Sequence, residues 1–178
     1  YQNIVVSVFD VPGYRPRDEL VAMMHAEPGF QAVRLSLRDD VTMVVLTVRH
    51  DGAVPLHSVA DQQALLGEHL AGSGWEVPAL LDAMPRATSF YFDAVSQIEL
   101  PTWSRGRVAL VGDAAACPSL LAGQGSALAM IEAYVLAAEL ARTDDHAEAF
   151  ARYHAQLASF LESKQAAARR LGTAFAPT

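Results

Sequence analysis

Cysteine is almost absent from this chain. Cys117 is the single cysteine among 178 residues, which excludes an internal disulfide and is typical of a reducing compartment such as the cytoplasm. No apolar run reaches the roughly 18 residues of a membrane span without polar interruption. The first residues carry no basic region and no cleavage site, so the pattern predicts no signal peptide.

Charge is also scarce. Charged residues make up 19% of the chain and apolar residues 52%, which predicts a globular fold rather than disorder. The net charge of −7 argues against nucleic acid as a partner. So high an apolar fraction also predicts that part of the exposed surface is an interface.

Several catalytic and binding signatures are missing. The six histidines show no metal-binding spacing, so no metal is expected. Ser119 and Ser126 lack the Gly-x-Ser-x-Gly elbow, which leaves a serine hydrolase as a distant alternative. Cys117 has no positioned histidine in the sequence and is expected to be a small apolar residue rather than a nucleophile.

The most informative stretch runs from Gly106 to Leu140. It predicts a short buried parallel strand over Val108–Val111, a glycine-bounded loop, and a helix over Ser126–Leu140 that is apolar on all sides and belongs in an interior. The free N–H groups at the helix start suit an anion or a polarised carbonyl. Asp113, just past the strand, is placed to accept hydrogen bonds from hydroxyl groups; its alternative role is to cap a helix.

This stretch resembles the second flavin motif of FAD-dependent aromatic monooxygenases of the p-hydroxybenzoate hydroxylase type. That motif reads GRVxLxGDAA, then a short loop with a proline, then GQGxNxAxxDA. The matching residues are Gly106, Arg107, Val108, Leu110, Gly112, Asp113, Ala114, Ala115, Pro118, Gly123, Gln124, Gly125 and Ala129. Two departures matter, because the frequent His after GDAA is Ala116 and the frequent Asn after GQGx is Ala127.

The resemblance implies a set of cofactor contacts. In the family, the Asp of the motif hydrogen-bonds the ribityl chain of FAD, and the GQG loop with the helix start lies against the pyrimidine edge of the flavin. The implied cofactor-binding residues are therefore Gly112, Asp113, Pro118, Gly123, Gln124, Gly125, Ser126 and Ala127. No side chain is expected to be catalytic, because the cofactor carries the chemistry.

The resemblance also implies a reaction. NAD(P)H would reduce the flavin, and a flavin C4a-hydroperoxide formed from O₂ would hydroxylate an aromatic or polyketide-like substrate. The Gly-x-Gly-x-x-Gly unit and the middle Asp-Gly motif of the family are absent, however, so the resemblance covers the C-terminal half only. We therefore expect a fragment or truncated relative of a flavoprotein, whose partner is the missing N-terminal FAD-binding half. The alternative is a non-catalytic stand-alone module that binds a small apolar ligand or forms a homodimer.

The remaining sequence predicts an α+β fold with a mostly antiparallel sheet. Residues 1–100 are expected to form a substrate-binding sheet domain, and residues 101–178 the C-terminal part of an FAD-binding domain. Phe90 and Phe92 share one face of a strand over Thr88–Leu100; they either line a substrate pocket or pack in the core. The other predicted strands are Asn3–Phe9, Phe30–Arg38 and Thr42–Arg49, and the other predicted helices are Arg17–His25, Ser58–Ala71 and Val77–Met84.

A final helix is predicted after Thr143-Asp144-Asp145, which supplies its cap. Large apolar side chains recur along it at helical spacing and form one stripe. The members of this stripe are Phe150, Tyr153, Leu157, Phe160 and Leu171.

Overall fold

The structure is a computed structural model that describes residues 1–14 and 21–175. It divides into two compact units, one built from residues 3–95 and the other from residues 96–172. The fold is α+β, with a mostly antiparallel sheet and packed helices. No helix in the described part of the chain is long and apolar enough to cross a membrane.

The first unit is a five-stranded antiparallel sheet with two helices packed on one face. Its strands lie in the order β2-β3-β4-β1-β5. Their bounds are β1 Ile4–Pro12, β2 Ala22–Glu27, β3 Phe30–Ser36, β4 Val41–Arg49 and β5 Ser89–Ala94; the helices are α1 Val59–His69 and α2 Val77–Ala83, followed by a 3₁₀ turn Met84–Arg86.

The core of the first unit follows the period-two pattern of its strands. Alternate residues of β1 and β4, such as Phe9 and Leu46, pack against Leu66 of α1 and Leu80 of α2. Both predicted helices are confirmed, and the Ser58 hydroxyl accepts the Asp61 N–H at the start of α1. The predicted hairpin around Asp39-Asp40 is also confirmed, because β3 and β4 pair antiparallel.

The predicted helix Arg17–His25 is wrong over its described part, and its first residues lie outside the described residues. Residues 22–25 belong to the strand β2, which pairs with β3 so that His25 lies opposite Ala32. Ala and Met favour helices locally, but pairing with the exposed edge of β3 satisfies the backbone of this segment instead.

The second unit contains a short hairpin followed by three helices. The hairpin strands are β6 Ser104–Arg105 and β7 Val108–Ala109, and the helices are α3 Asp113–Ala116, α4 Gly125–Leu140 and α5 His146–Phe175, with a 3₁₀ turn Leu120–Ala122 before α4. Asp145 caps α5 as predicted, because its carboxylate accepts the N–H groups of Ala147 and Glu148.

Two expectations about this unit are wrong, and a third is confirmed in part. The strand at 108 is short and antiparallel to β6, and Val108 is 64% exposed rather than buried. The helix α4 exists, but it is not interior, since Met130 and Tyr134 are 67% and 77% exposed. Of the predicted stripe on α5, Phe150, Tyr153 and Leu157 are buried, whereas Phe160 and Leu171 are exposed and Leu161 is buried instead.

Candidate functional site

The Gly112-Asp113 turn forms the first part of the candidate site. Gly112 has a φ of 64°, a conformation that side chains with a Cβ rarely adopt. A Cβ at Gly112 would also lie 3.0 Å from the Cβ of Ala129 on α4. The turn therefore requires glycine at position 112 for two reasons, which are its positive φ angle and its close approach to α4. Asp113 follows directly, begins α3 and is exposed.

The N-terminus of α4 forms the second part. Gln124 occupies the N-cap position, but its side chain makes no capping hydrogen bond, and the first helical bond of the series runs from the Leu128 N–H to the Gln124 carbonyl. The N–H groups of Gly125, Ser126 and Ala127 therefore stand at the positive end of a helix of 16 residues without a side-chain cap. Gly123, with a φ of 61°, makes the turn that leads into this helix.

Asp113 and the α4 N-terminus lie next to each other. The Asp113 Oδ1 is 3.7 Å from the point where a Cβ on Gly125 would stand, so the carboxylate is within van der Waals reach of the helix start. The Cys117 thiol also lies close to Asp113. Burial raises the pKa of Cys117; the Ser119 backbone N–H lowers it, and the charge and hydrogen bond of Asp113 raise it, so the thiol stays protonated at neutral pH and is not an activated nucleophile.

The loop between α3 and α4 is anchored at its start and strained at Ser119. The Pro118 carbonyl accepts the side-chain amide of Gln97 at 2.8 Å, and the Cys117 carbonyl accepts that of Gln165 at 3.3 Å. Ser119 has a φ of 78°, is 4% exposed, and its hydroxyl finds no hydrogen-bond partner among the described residues. Such strain with an unsatisfied group is typical of a binding loop.

Sequence reasoning missed two residues behind the turn. The Glu132 carboxylate accepts the Gly112 N–H at 2.8 Å and the Tyr153 hydroxyl at 2.9 Å, and both side chains are 1% exposed. Two signals were available, because Glu132 occupies the acidic position of the motif GQGxNxAxxDA, and Glu132 and Glu139 are the two charged residues of an otherwise apolar helix. An ionisable residue in such a helix needs a partner if it is buried.

The eight predicted cofactor contacts all lie within the segment from Gly112 to Ala127 in the second unit. Phe90 and Phe92 belong to the first unit, where both pack against the helix-covered core. Phe90 lies opposite Phe9 in the sheet, and the two ring centroids are 6.3 Å apart. Their role in a substrate pocket stays a prediction.

A cavity of about 640 Å³ in the second unit contains none of these eight residues. It is lined mainly by α5 and by residues 98–103, including Trp103, His154 and Arg169. The geometry around Asp113 carries more chemical information, because it combines an exposed carboxylate with uncapped helix N–H groups. Across residues 1–14 and 21–175, no group of His, Cys, Asp and Glu side chains is arranged to hold a metal ion.

Comparison with known proteins shows what this chain is similar to. Residues 81–162 match the model of the FAD binding domain family. The chain is 36% identical over 162 residues to a flavin-dependent monooxygenase of an unknown prokaryotic organism, covering 90% of this chain and 42% of the relative.

Two solved structures are also similar to the chain. The tetracycline destructase Tet(55) is 34% identical to this chain and superposes with a TM-score of 0.89. The match covers 98% of this chain and 46% of the Tet(55) chain. HpxO of Klebsiella pneumoniae, solved with FAD and uric acid, shares the fold with a TM-score of 0.77 at 24% sequence identity. The match covers 100% of this chain and 46% of the HpxO chain. The chain is thus similar to flavin-dependent monooxygenases and spans less than half of the length of the relatives it matches.

The residues present fit a flavin cofactor. The Gly112-Asp113 turn presents an acceptor for hydroxyl groups, and the uncapped start of α4 presents donors for ring oxygens. Both parts are open in the described structure, since Asp113, Gln124, Ser126 and Ala127 are exposed.

Proposed function

We propose that this chain supplies the Asp113 and α4 half of the FAD site of a monooxygenase of the p-hydroxybenzoate hydroxylase type. The observation that carries the proposal is the placement of the Asp113 carboxylate beside the uncapped N-terminus of α4. The match of residues 81–162 to the FAD binding domain supports it.

The residues of this chain would act by binding and orienting the cofactor. Asp113 would accept hydrogen bonds from the ribityl hydroxyl groups of FAD, and the N–H groups of Gly125 to Ala127 would donate to the pyrimidine edge. FAD, when bound, supplies the redox chemistry, with NAD(P)H as electron donor and O₂ as oxidant. No side chain of the site needs to be a nucleophile, which agrees with the protonated Cys117.

The proposed substrate is an electron-rich aromatic or polyketide-like compound. Support comes from the 34% identity to a protein described as a tetracycline destructase, since tetracyclines combine both chemical features. We further propose a cytoplasmic location, because the single cysteine fits a reducing compartment.

Titration of the purified chain with FAD tests the cofactor proposal. We expect saturable quenching of flavin fluorescence, and we expect Asp113→Ala to raise the dissociation constant roughly tenfold, the value of about one hydrogen bond to a charged group. Asp144→Ala is the matched control, because Asp144 is an exposed acid beyond the far end of α4. Equal binding by Asp113→Ala and the control would contradict the assignment of Asp113.

We propose that the missing half of the relatives is the partner of this chain. The exposed apolar side chains of α4 support this, because Met130, Ile131 and Tyr134 are 67%, 42% and 77% exposed on a helix whose glutamates are buried. Such a surface on a chain of less than half its relatives' length suits the remaining part of an FAD-binding domain. The alternative is a stand-alone module that dimerises through the same face.

A further inference from the structure

A buried carboxylate lies directly behind the candidate cofactor site. Glu132 is 1% exposed, although the large apolar neighbours Met130 and Ile131 on the same helix are exposed. Burying a carboxylate costs several kcal/mol unless hydrogen bonds replace its water. The contacts of Glu132 therefore indicate what its burial achieves.

Both donors to Glu132 come from elements that meet at the turn. The Glu132 Oε2 accepts the Gly112 N–H at 2.8 Å and the Tyr153 hydroxyl at 2.9 Å. The Tyr153 hydroxyl also lies 3.2 Å from the carbonyl of Leu110, two residues before Gly112. Since both contacts to Oε2 are donors, they favour the ionised form of Glu132.

The electrostatics around Glu132 have two opposing parts. Burial raises the pKa of Glu132, and the nearby charge of Asp113 raises it further, whereas the bonds from Gly112 and Tyr153 lower it. Burial and then Glu132 itself raise the pKa of Tyr153 well above its usual range, so Tyr153 remains a donor. Asp113 from α3 and Tyr153 from α5 are the titratable groups that face Glu132 in this network.

The bond to Gly112 acts at the least constrained point of the turn. Glycine has no side chain to fix its orientation, and the φ of 64° at Gly112 is one of several conformations open to it. An anionic acceptor on its N–H selects one of them. The direction of the next residue, Asp113, then follows from that choice.

We propose that Glu132 is a positioning residue, whose buried carboxylate fixes the Gly112-Asp113 turn so that Asp113 faces the polyol hydroxyl groups of the cofactor. Tyr153 holds Glu132 in place from α5. This inference rests on the proposed FAD function, and it makes the contact of Asp113 with the polyol chain depend on a residue that does not itself touch the cofactor.

The first test measures the turn itself, without any ligand. In an NMR titration of the chain, the Gly112 amide proton is expected to shift with pH as Glu132 takes up a proton, and this shift is expected to disappear in Glu132→Gln. Exchange of the Gly112 amide with solvent is expected to accelerate at least tenfold in Glu132→Ala. Glu132→Gln preserves the shape of the side chain and keeps the test valid if the alanine variant fails to fold.

Glu139→Gln is the matched control for both variants. Glu139 is a second buried glutamate, seven residues further along α4 and 3% exposed, whose carboxylate accepts the side-chain amide of Gln156 at 2.6 Å. It is expected to leave the Gly112 amide unchanged. A Gly112 titration that survives in Glu132→Gln would overturn the proposal, because its source would then be a group other than Glu132.

The second test measures flavin binding. Glu132→Ala is expected to weaken binding of FAD and riboflavin about tenfold, and to leave unchanged the binding of lumiflavin, which has the ring but no ribityl chain. Equal loss for all three flavins would overturn the positioning role and indicate a general structural one. A wild-type chain that binds no flavin would refute the proposed half-site and the cofactor part of this inference, and the Gly112 amide would still decide whether Glu132 holds the turn.

Discussion

Arg34 is a cation enclosed in the core face of the first unit. Its side chain is 0% exposed, and its Nε lies 2.7 Å from the carboxylate of Glu76, which is 20% exposed. The Tyr14 hydroxyl donates to the same carboxylate at 3.2 Å, and burial together with Glu76 raises the pKa of Tyr14 to about 12. Glu76, the residue directly before α2, therefore connects that helix to Arg34 on strand β3 and to Tyr14 after β1.

Glu76→Gln is expected to destabilise the chain by roughly 3 kcal/mol, because it leaves the buried Arg34 without its counter-charge. Urea unfolding followed by circular dichroism measures the loss. Glu148→Gln is the control, since Glu148 pairs with Arg152 at the surface and is expected to cost less than about 1 kcal/mol. Similar losses of unfolding free energy for the two variants would show that the buried Arg34–Glu76 pair contributes no more to stability than an exposed ion pair does.

Glu132 is expected to make stability depend on pH. Its folded pKa is raised above its ordinary value of 4.5, so the folded chain holds this proton more tightly than the unfolded chain does. The contribution of the Glu132 proton to the free energy of unfolding is therefore fully present below pH 4.5 and is lost as the pH rises through the raised pKa.

The comparison of wild type with Glu132→Gln isolates this effect. The free energy of unfolding of wild type minus that of the variant is expected to fall as the pH rises from 4.5 toward 7, with a slope of at most about 1.4 kcal/mol per pH unit. Urea unfolding at several pH values gives the difference. A difference that stays constant or rises would contradict the raised pKa.

Helix α4 has an exposure pattern opposite to that of an ordinary amphipathic helix. Leu128, Glu132 and Glu139 are its buried residues, and the glutamates meet Tyr153 and Gln156 on α5. Its N-terminal half packs closely on the Gly112 turn through Ala129. The buried face of the helix thus contacts the Gly112 turn, and apolar side chains on its other face are exposed.

Gly112→Ala is expected to destabilise the second unit by about 1–3 kcal/mol for backbone strain, with a further loss from the contact with Ala129. Gly106→Ala is the matched control, because Gly106 also has a positive φ of 58° but a Cβ there meets nothing within 4 Å. Thermal unfolding of the two variants gives the comparison. Equal losses would show that the approach of α4 to the turn does not constrain residue 112.

At the scale of the whole molecule, the exposed face of α4 is expected to need a partner. Met130→Glu combined with Tyr134→Glu removes apolar surface from that face without touching Asp113 or Glu132. We expect the part of Tet(55) that this chain does not match, expressed separately, to raise the affinity of the chain for FAD, and the double variant to abolish the gain.

Sedimentation of the chain alone provides the control for this experiment. A wild-type chain that sediments as a monomer supports the partner proposal. A homodimer that the double variant dissociates would favour the stand-alone module instead.

The sequence by itself determined the local features of this protein. The glycines at 112 and 123, the cap residues Ser58 and Asp145, and the period-two strands β3 and β4 depend on short-range sterics and hydrogen bonds. The flavin motif was visible for the same reason, because its residues are neighbours in the chain.

Only the tertiary structure decided which faces are buried and which distant groups meet. Residues 22–25 became a strand because β3 offered an edge, and α4 turned its glutamates inward because Gly112 and Tyr153 offered donors. Burial and pairing depend on partners far apart in the chain, so composition alone placed α4 in an interior and left Glu132 unassigned.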